Sequence, residues 1–484
     1  MLSHFVILAT LAPLRLLRRT PPTLFKLAPP RERLDLISRH FNSNAQVPLN
    51  TPFSIERNSS RSDDLEYPSP VAKQQTRQFG TQTSSAQETK STETPAETTA
   101  NMSSQAPHPT LLIPGPIEFD DQVLQSMSHY SESHVSQPFV NVFGEVLSQL
   151  RKLFQTSNPN SQPFVISGSG TLGWDQVAAN LAEEGDEVLV LHTGYFADSF
   201  AECFETYRVK PTQLKAPIGD RPQLPEIEKA LKEKKYKLIT ITHTDTSTGV
   251  LSEVKPVVDL VRRVSPETLV VVDGVCSIGC EDLQFDAWDV DCAITASQKA
   301  IGCPAGLSIV MASERAMNVF KNRKTPPASY FGSWKKWTPI MQNYEAKKPS
   351  YFATPSPQLI HALHTALSQI LSRPLEERFR IHREQSQRVK KAIADMGLKL
   401  LAEKPENQAN GMSAIYLPDG MTPPEILPTL IKKGVIFAGG LHKEIAAKYV
   451  RFGHMGVSVT DPKRNDIDKA LNALKEGLAE VQKS

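Results

Sequence analysis

Phe164-Val165-Ile166-Ser167-Gly168-Ser169-Gly170-Thr171-Leu172-Gly173 is the stretch whose reading decides the fold. The apolar residues 164–166 have the length and composition of a buried strand. A glycine-rich turn follows, and the spacing over 175–184 predicts a helix. Working outward, the same alternation repeats. Short apolar runs at 187–191, 237–242, 269–272 and 292–296 read as strands, separated by amphipathic stretches at 197–205, 224–234 and 256–264. In the last of these, Pro256 suits a first helical position. Strands alternating with helices predict an α/β domain with a largely parallel sheet, whose ligands gather at loops leaving the C-terminal strand ends. After about residue 368 the texture changes to a longer helix at 376–396, with strands expected at 411–417 and 450–452. The expected organisation is a leader and linker over 1–105, an N-terminal arm over 106–130, a large domain over 131–368 and a smaller α/β domain over 369–484. No internal repeat is evident.

Four positions after strands carry chemistry. In the glycine turn, backbone N–H groups can approach an anion closely, and a helix N-terminus adds a favourable field. Gly168, Gly170 and Gly173 formally satisfy the dinucleotide fingerprint, but that use needs an acid at the end of the next strand. Leu191-His192-Thr193 offers none. No Gly-Lys-Ser/Thr follows either, which excludes a P-loop. Asp273 closes the run Leu269-Val270-Val271-Val272, where a carboxylate can keep a heteroaromatic nitrogen protonated or simply form a turn. Lys299, in Ser297-Gln298-Lys299-Ala300, has no charged neighbours, a setting in which an amine can lose its proton and attack a carbonyl. Arg451, within Tyr449-Val450-Arg451-Phe452, requires either an internal acid or a bound carboxylate. Each position alone has a plain structural explanation. Together they form the constellation of a pyridoxal-phosphate (PLP) site, with Lys299 as covalent anchor and Asp273 as partner of the ring nitrogen.

From about Thr110 to the C-terminus the sequence resembles the class V aminotransferases of fold type I, in particular the alanine–glyoxylate/serine–pyruvate group. The motifs that carry the resemblance are Ile113-Pro114-Gly115-Pro116, the turn at 167–171, Ser247-Thr248-Gly249-Val250, Val272-Asp273-Gly274-Val275, Ser297-Gln298-Lys299-Ala300 and Val450-Arg451-Phe452-Gly453. The resemblance implies that Lys299 anchors the cofactor and shuttles the substrate α-proton, while Asp273 keeps the ring an electron sink. It implies that Ser169, Gly170, Thr171 and Gln298 bind the phosphate and that Thr246 places a hydroxyl beside the ring. Gly115 would line the substrate pocket and Arg451 would grip the substrate carboxylate. Tyr351 and Thr354 would reach the phosphate of a neighbouring subunit, which implies a homodimer. Two positions depart from the family pattern: Phe196 stands where a stacking Trp is common, and Thr171 where many relatives carry His. A phenyl face can still stack on the ring. The implied reaction moves an amino group from alanine or serine to glyoxylate.

The remaining composition sets limits. The 54 basic and 52 acidic residues of the 484 nearly cancel, so no globally basic surface offers itself to nucleic acid. Five cysteines make no disulfide scaffold, and Cys276 and Cys280 lack a second pair at finger spacing, so a structural metal is not expected. No apolar run reaches the roughly 18 residues that span a bilayer, and no membrane partner is expected. The first acidic residue is Glu32, preceded by Arg15, Arg18, Arg19, Lys26 and Arg31 among leucines. That is the composition of a mitochondrial presequence. Peroxisome or cytosol are the alternatives if translation starts at Met102, although Gln482-Lys483-Ser484 is no Ser-Lys-Leu address. Three rival functions stay open at this stage. A cysteine desulfurase needs a nucleophilic cysteine after Cys303, the last one present; a dehydrogenase lacks its ribose acid; a non-catalytic relative would have no need of Lys299, Asp273 and Arg451 together.

Overall fold

The computed structural model describes residues 104–483; the leader and Met102 lie outside the described residues. Its centre is a seven-stranded sheet built from β2 (Gln162–Ser167), β3 (Glu187–His192), β4 (Lys210–Lys215), β5 (Leu238–Thr242), β6 (Leu269–Asp273), β7 (Cys292–Ala296) and β8 (Leu307–Ala312), in the order β2-β8-β7-β6-β5-β3-β4. From β7 to β4 every pairing is parallel. Strand β8 runs antiparallel to both β7 and β2, because only the loop 297–306 joins it to β7 and no crossover helix intervenes. Both β4 and β8 are additions to the sequence reading. The polar edge strand β4 (Lys-Pro-Thr-Gln-Leu-Lys) carries a proline and lysines that discourage further pairing, and so lacks a hydrophobic signature.

Four helices begin one to four residues earlier than their sequence patterns predict, Tyr195–Thr206 and Leu375–Asp395 among them. The helix after β2 spans Thr171–Leu181 rather than 175–184, starting directly off the glycine turn. Gly173 lies inside it because a Cβ there would overlap the Ile294 side chain of β7. The helix Val254–Val264 starts two residues before Pro256, whose missing N–H falls in the first turn, where no intrahelical bond is needed.

Helices on both faces bury the sheet in one core running from Val123 to Ile370. A second core packs the small antiparallel sheet, β11 (Ala438–Gly439), β12 (Tyr449–Gly453) and β9 (Met412–Tyr416), against helices Leu375–Asp395, Pro423–Lys432 and Asp466–Val481. The N-terminal segment joins this second core: β1 (Thr110–Leu111) pairs in parallel with β10 (Val435–Ile436), and Leu112 is buried there. A third cluster, including Ile117, Cys276, Ala300, Ala414 and Tyr449, draws on residues from both sides. No helix among the described residues is long and apolar enough to cross a membrane.

The sheet register fixes where chemistry can occur. Thr242 is level with Asp273, Asp273 with Ile294, and Ser308 pairs with both Ile166 and Ala296. The loops leaving β2, β5, β6 and β7 therefore open on one edge, and the four predicted stretches that belong to this sheet or its turns meet there.

Candidate active site

At that edge lies a cavity of about 220 Å³ lined by Gly115, Ser169, Gly170, Thr171, Phe196, Thr246, Asp273, Gln298 and Lys299. Nine residues singled out from sequence are thus neighbours in space. Trp174, Thr242, Thr244, Val275 and Cys276 complete the lining.

One end of the cavity is built to hold an anion. The backbone N–H groups of Ser169, Gly170 and Thr171 have no hydrogen-bond partner among the described residues, and they sit at the start of an eleven-residue helix. Gly170 allows this close approach, since a Cβ there would meet Val275 Cγ2 at 2.8 Å. Gln298 lines the same cavity; its amide Oε1 is buried without a donor, and its Nε2 is the group that could donate to an anion. Ser169 and Thr171 are exposed and Gly170 is buried, so their backbone N–H groups open toward the cavity mouth, where an anion can replace water as their acceptor.

The opposite requirement is met by Asp273, which is 4% exposed. Its carboxylate accepts from Trp174 Nε1 at 2.8 Å and from the Val275 N–H at 3.0 Å. Burial pushes its pKa up to about 6, against which these two hydrogen bonds work. Trp174 escaped the sequence reading, yet it lies three residues after Thr171 and so one turn further along the same helix. Its ring stacks on Phe200 and meets Phe196 edge-on at 6.3 Å between centroids. Phe196, at the expected stacking position, is therefore held from behind.

Lys299 is 7% exposed, and burial lowers its pKa. The neighbouring positive charge of Arg451 acts in the same direction, whereas Asp273 opposes it. Its Nζ donates to the Pro114 carbonyl. Gly115, at φ +109°, lies so close that a Cβ would overlap the end of the Lys299 side chain. The segment 113–116 thus closes over the amine, and only glycine fits there. On the other side, Arg378 donates to the carbonyls of Gly279 and Ala300, both at 2.7 Å, and so fixes the backbone beside Lys299.

Arg451 reaches the site from β12. Its Nε donates to the Gly439 carbonyl at 2.7 Å and its Nη1 to the Thr246 carbonyl at 3.2 Å. No carboxylate pairs with it among the described residues, and burial holds its pKa below the usual guanidinium range. Strand alternation explains its direction: Val450 and Phe452 enter the second core, leaving Tyr449 and Arg451 on the face toward the site. The Tyr449 hydroxyl accepts from the N–H groups of Leu441 and His442 and donates to the Ser247 carbonyl at 2.6 Å. It ties the Arg451 strand to the loop bearing Thr246. That loop is braced by Asp245, fully buried, which accepts from Ser247 N–H and Oγ and from Thr193 Oγ1. Neither Tyr449 nor Asp245 carries a local sequence signal beyond its spacing from Arg451 or Thr246.

Tyr351 and Thr354 are not brought to this cavity. Both are exposed, Tyr351 at 62%.

Unpaired N–H groups at one end, a buried carboxylate without a cation at the other, and a buried amine between them fit PLP, an anionic phosphate joined to a basic ring and an aldehyde. Residues 111–457 match the family model described as aminotransferase class-V. The chain belongs to the class-V aminotransferases. Among relatives of this family, the alanine–glyoxylate aminotransferase 1 of Saccharomyces cerevisiae is 45% identical over 72% of this chain and 92% of its own length. An L-aspartate–glyoxylate aminotransferase from Paracoccus denitrificans is 30% identical over 74% and 88% respectively. The crystal structure of an alanine–glyoxylate aminotransferase from Nostoc superposes with a TM-score of 0.71 at 29% identity, covering 77% of this chain and 96% of that one. Class-V aminotransferases exchange amino groups between small amino acids and 2-oxo acids, and this chain is such an enzyme.

Proposed function

We propose that the enzyme holds PLP on Lys299 and transfers the amino group of alanine, with serine as a second donor, to glyoxylate, giving glycine and a 2-oxo acid. The observation that carries this reading is the convergence of Lys299, Asp273 and the unpaired turn 169–171 on one cavity, with Arg451, which makes no salt bridge among the described residues, at its side. When bound, PLP supplies an electron sink for the pair left on the substrate α-carbon. Asp273 would hold the ring nitrogen protonated, and Phe196 would pack on a ring face. Ser169, Gly170, Thr171 and Gln298 would hold the phosphate, and Thr246 would stand beside the ring. Burial lowers the Lys299 pKa and so favours loss of the Nζ proton, the direction that anchoring and proton shuttling require. Arg451 would take one substrate carboxylate in its fork, fixing the α-carbon near that amine.

Substrate size follows from charge. With Lys299 holding the cofactor, Arg451 is the one cation among the predicted site residues left for a substrate carboxylate, and a second carboxylate on the donor would need a further one. The relative named for aspartate makes this point worth testing directly. With alanine, serine, aspartate and glutamate as donors and glyoxylate or pyruvate as acceptors, alanine–glyoxylate should give the highest kcat/KM and glutamate a poor one. Efficient turnover of glutamate would overturn the proposed specificity.

The proposal extends to a homodimer. Tyr351 and Thr354 face outward among exposed Tyr330 (75%) and Phe331 (40%), a surface of the kind that a second copy covers. The basic, acid-poor composition of residues 1–31 supports a mitochondrial location.

A further inference from the structure

Three ligating side chains converge outside the active-site cavity. His129 and Glu132 lie in the segment between helices Asp121–Ser126 and Gln137–Leu153, and His361 lies near the start of helix Pro357–Ile370. Glu132 Oε1 is 2.5 Å from His361 Nε2 and 3.5 Å from His129 Nδ1. The three ligand atoms all fall within 4.8 Å of one another, the one such group among the described residues. The carboxylate is 5% exposed, and the imidazoles stack with centroids 3.9 Å apart at 15°.

The surroundings hold this arrangement. The hydroxyls of Ser126 and Thr365 meet at 2.7 Å and join the same two segments. The Phe139 ring stands edge-on to His361 at 6.4 Å. Ser136 Oγ donates to the other carboxylate oxygen, Oε2, at 3.4 Å, which leaves Oε1 to face both imidazoles. His129 Nδ1 also lies 3.0 Å from the Tyr130 carbonyl, which can only accept, so ligation through Nδ1 would release that hydrogen bond and its proton.

We propose that His129, Glu132 and His361 form a binding site for a divalent transition metal of the zinc class, separate from the amino-transfer machinery. Two imidazole nitrogens with one carboxylate make the borderline donor set that suits Zn²⁺, whereas Ca²⁺ and Mg²⁺ prefer all-oxygen shells. Bonds of about 2.0–2.1 Å in a tetrahedral site put ligand atoms about 3.4 Å apart. The His129–Glu132 separation is already close to that value, the His361–Glu132 contact would open by about 1 Å, and the stacked rings would turn apart so that both in-plane lone pairs point at one ion. Three protein ligands leave one position for water. A bound ion would clamp the segment around 127–136 to the helix that follows Tyr351 and Thr354.

The test titrates the PLP-loaded, EDTA-dialysed full chain with Zn²⁺ by calorimetry, measures retained zinc after dialysis, and uses Co²⁺ as an optical probe. The expected result is one equivalent per chain and a visible Co²⁺ ligand-field band. Affinity should fall at least about 100-fold in both His129→Gln and His361→Gln, with cofactor absorption and circular dichroism unchanged. Absence of a bound equivalent in the wild type, or its retention in both variants, would overturn the proposal whatever the enzyme's substrate proves to be.

Discussion

Asp273 gives the most quantitative consequence of the site's construction. In the cofactor-free protein it is a buried carboxylate with a pKa near 6, against an ordinary value of 3.8. The folded state therefore binds this proton more tightly than the unfolded chain. The burial penalty is absent below the unfolded value, grows between the two, and is complete above about pH 6. At roughly 1.4 kcal/mol per tenfold, it amounts to about 3 kcal/mol at pH 8 and about half that at pH 5. Asp273→Asn removes the charge but satisfies only one of the hydrogen bonds from Trp174 Nε1 and Val275 N–H, a loss of about 1–2 kcal/mol at any pH. The variant apoprotein should thus be more stable than the wild type by about 1–2 kcal/mol at pH 8, and that advantage should shrink by about 1.4 kcal/mol at pH 5. Urea unfolding of both apoproteins at the two pH values, at equal protein concentration, measures the difference. Adding PLP should reverse the order at pH 8, and transamination by the variant should fall by at least about 100-fold, the scale for losing a preorganised stabilising charge. A stability difference that does not change with pH would refute the assignment of Asp273 as a carboxylate waiting for a cation.

Other perturbations test the remaining parts. Arg451→Lys replaces a fork by a point charge and should lower kcat/KM about tenfold to hundredfold for every amino-acid donor; a selective effect on one donor would argue against carboxylate binding. Gly115→Ala should displace Lys299 and weaken the visible absorption of the lysine-bound cofactor, with a strain of about 1–3 kcal/mol from the positive φ; an unchanged spectrum would show that the segment 113–116 does not press on the amine. A protein starting at Met102 should keep full activity in vitro and fail to enter mitochondria, so unchanged location in cell fractionation would remove the targeting proposal.

The parts legible in the sequence are those whose signal is local. Strands β3, β5, β6 and β7 are largely apolar because both faces are buried, and Asp273 at the end of β6 and Lys299 just beyond β7 stand out by those positions. The helix after the glycine turn starts four residues before its sequence pattern, since Gly173 reads as part of the turn and only its packing on Ile294 accounts for a glycine inside the helix. Edge strand β4 is polar, and β8 follows a glycine-rich loop without a crossover, so neither fits a β–helix–β pattern. What depends on distant pairing was not legible at all. No local pattern joins residues 110–111 to 435–436, Trp174 to Asp273, or His361 to a carboxylate 229 residues earlier.

The most direct test of the central claim is a single half-reaction. Purified protein loaded with PLP should show the visible absorption of the lysine-bound cofactor, and excess alanine without any acceptor should bleach it while releasing one pyruvate per chain. Glyoxylate added afterwards should restore the band and release one glycine. Lys299→Ala should retain its fold, measured by circular dichroism, and release almost no pyruvate. Stoichiometric pyruvate from Lys299→Ala, or no bleaching of the wild type by alanine, would contradict the account.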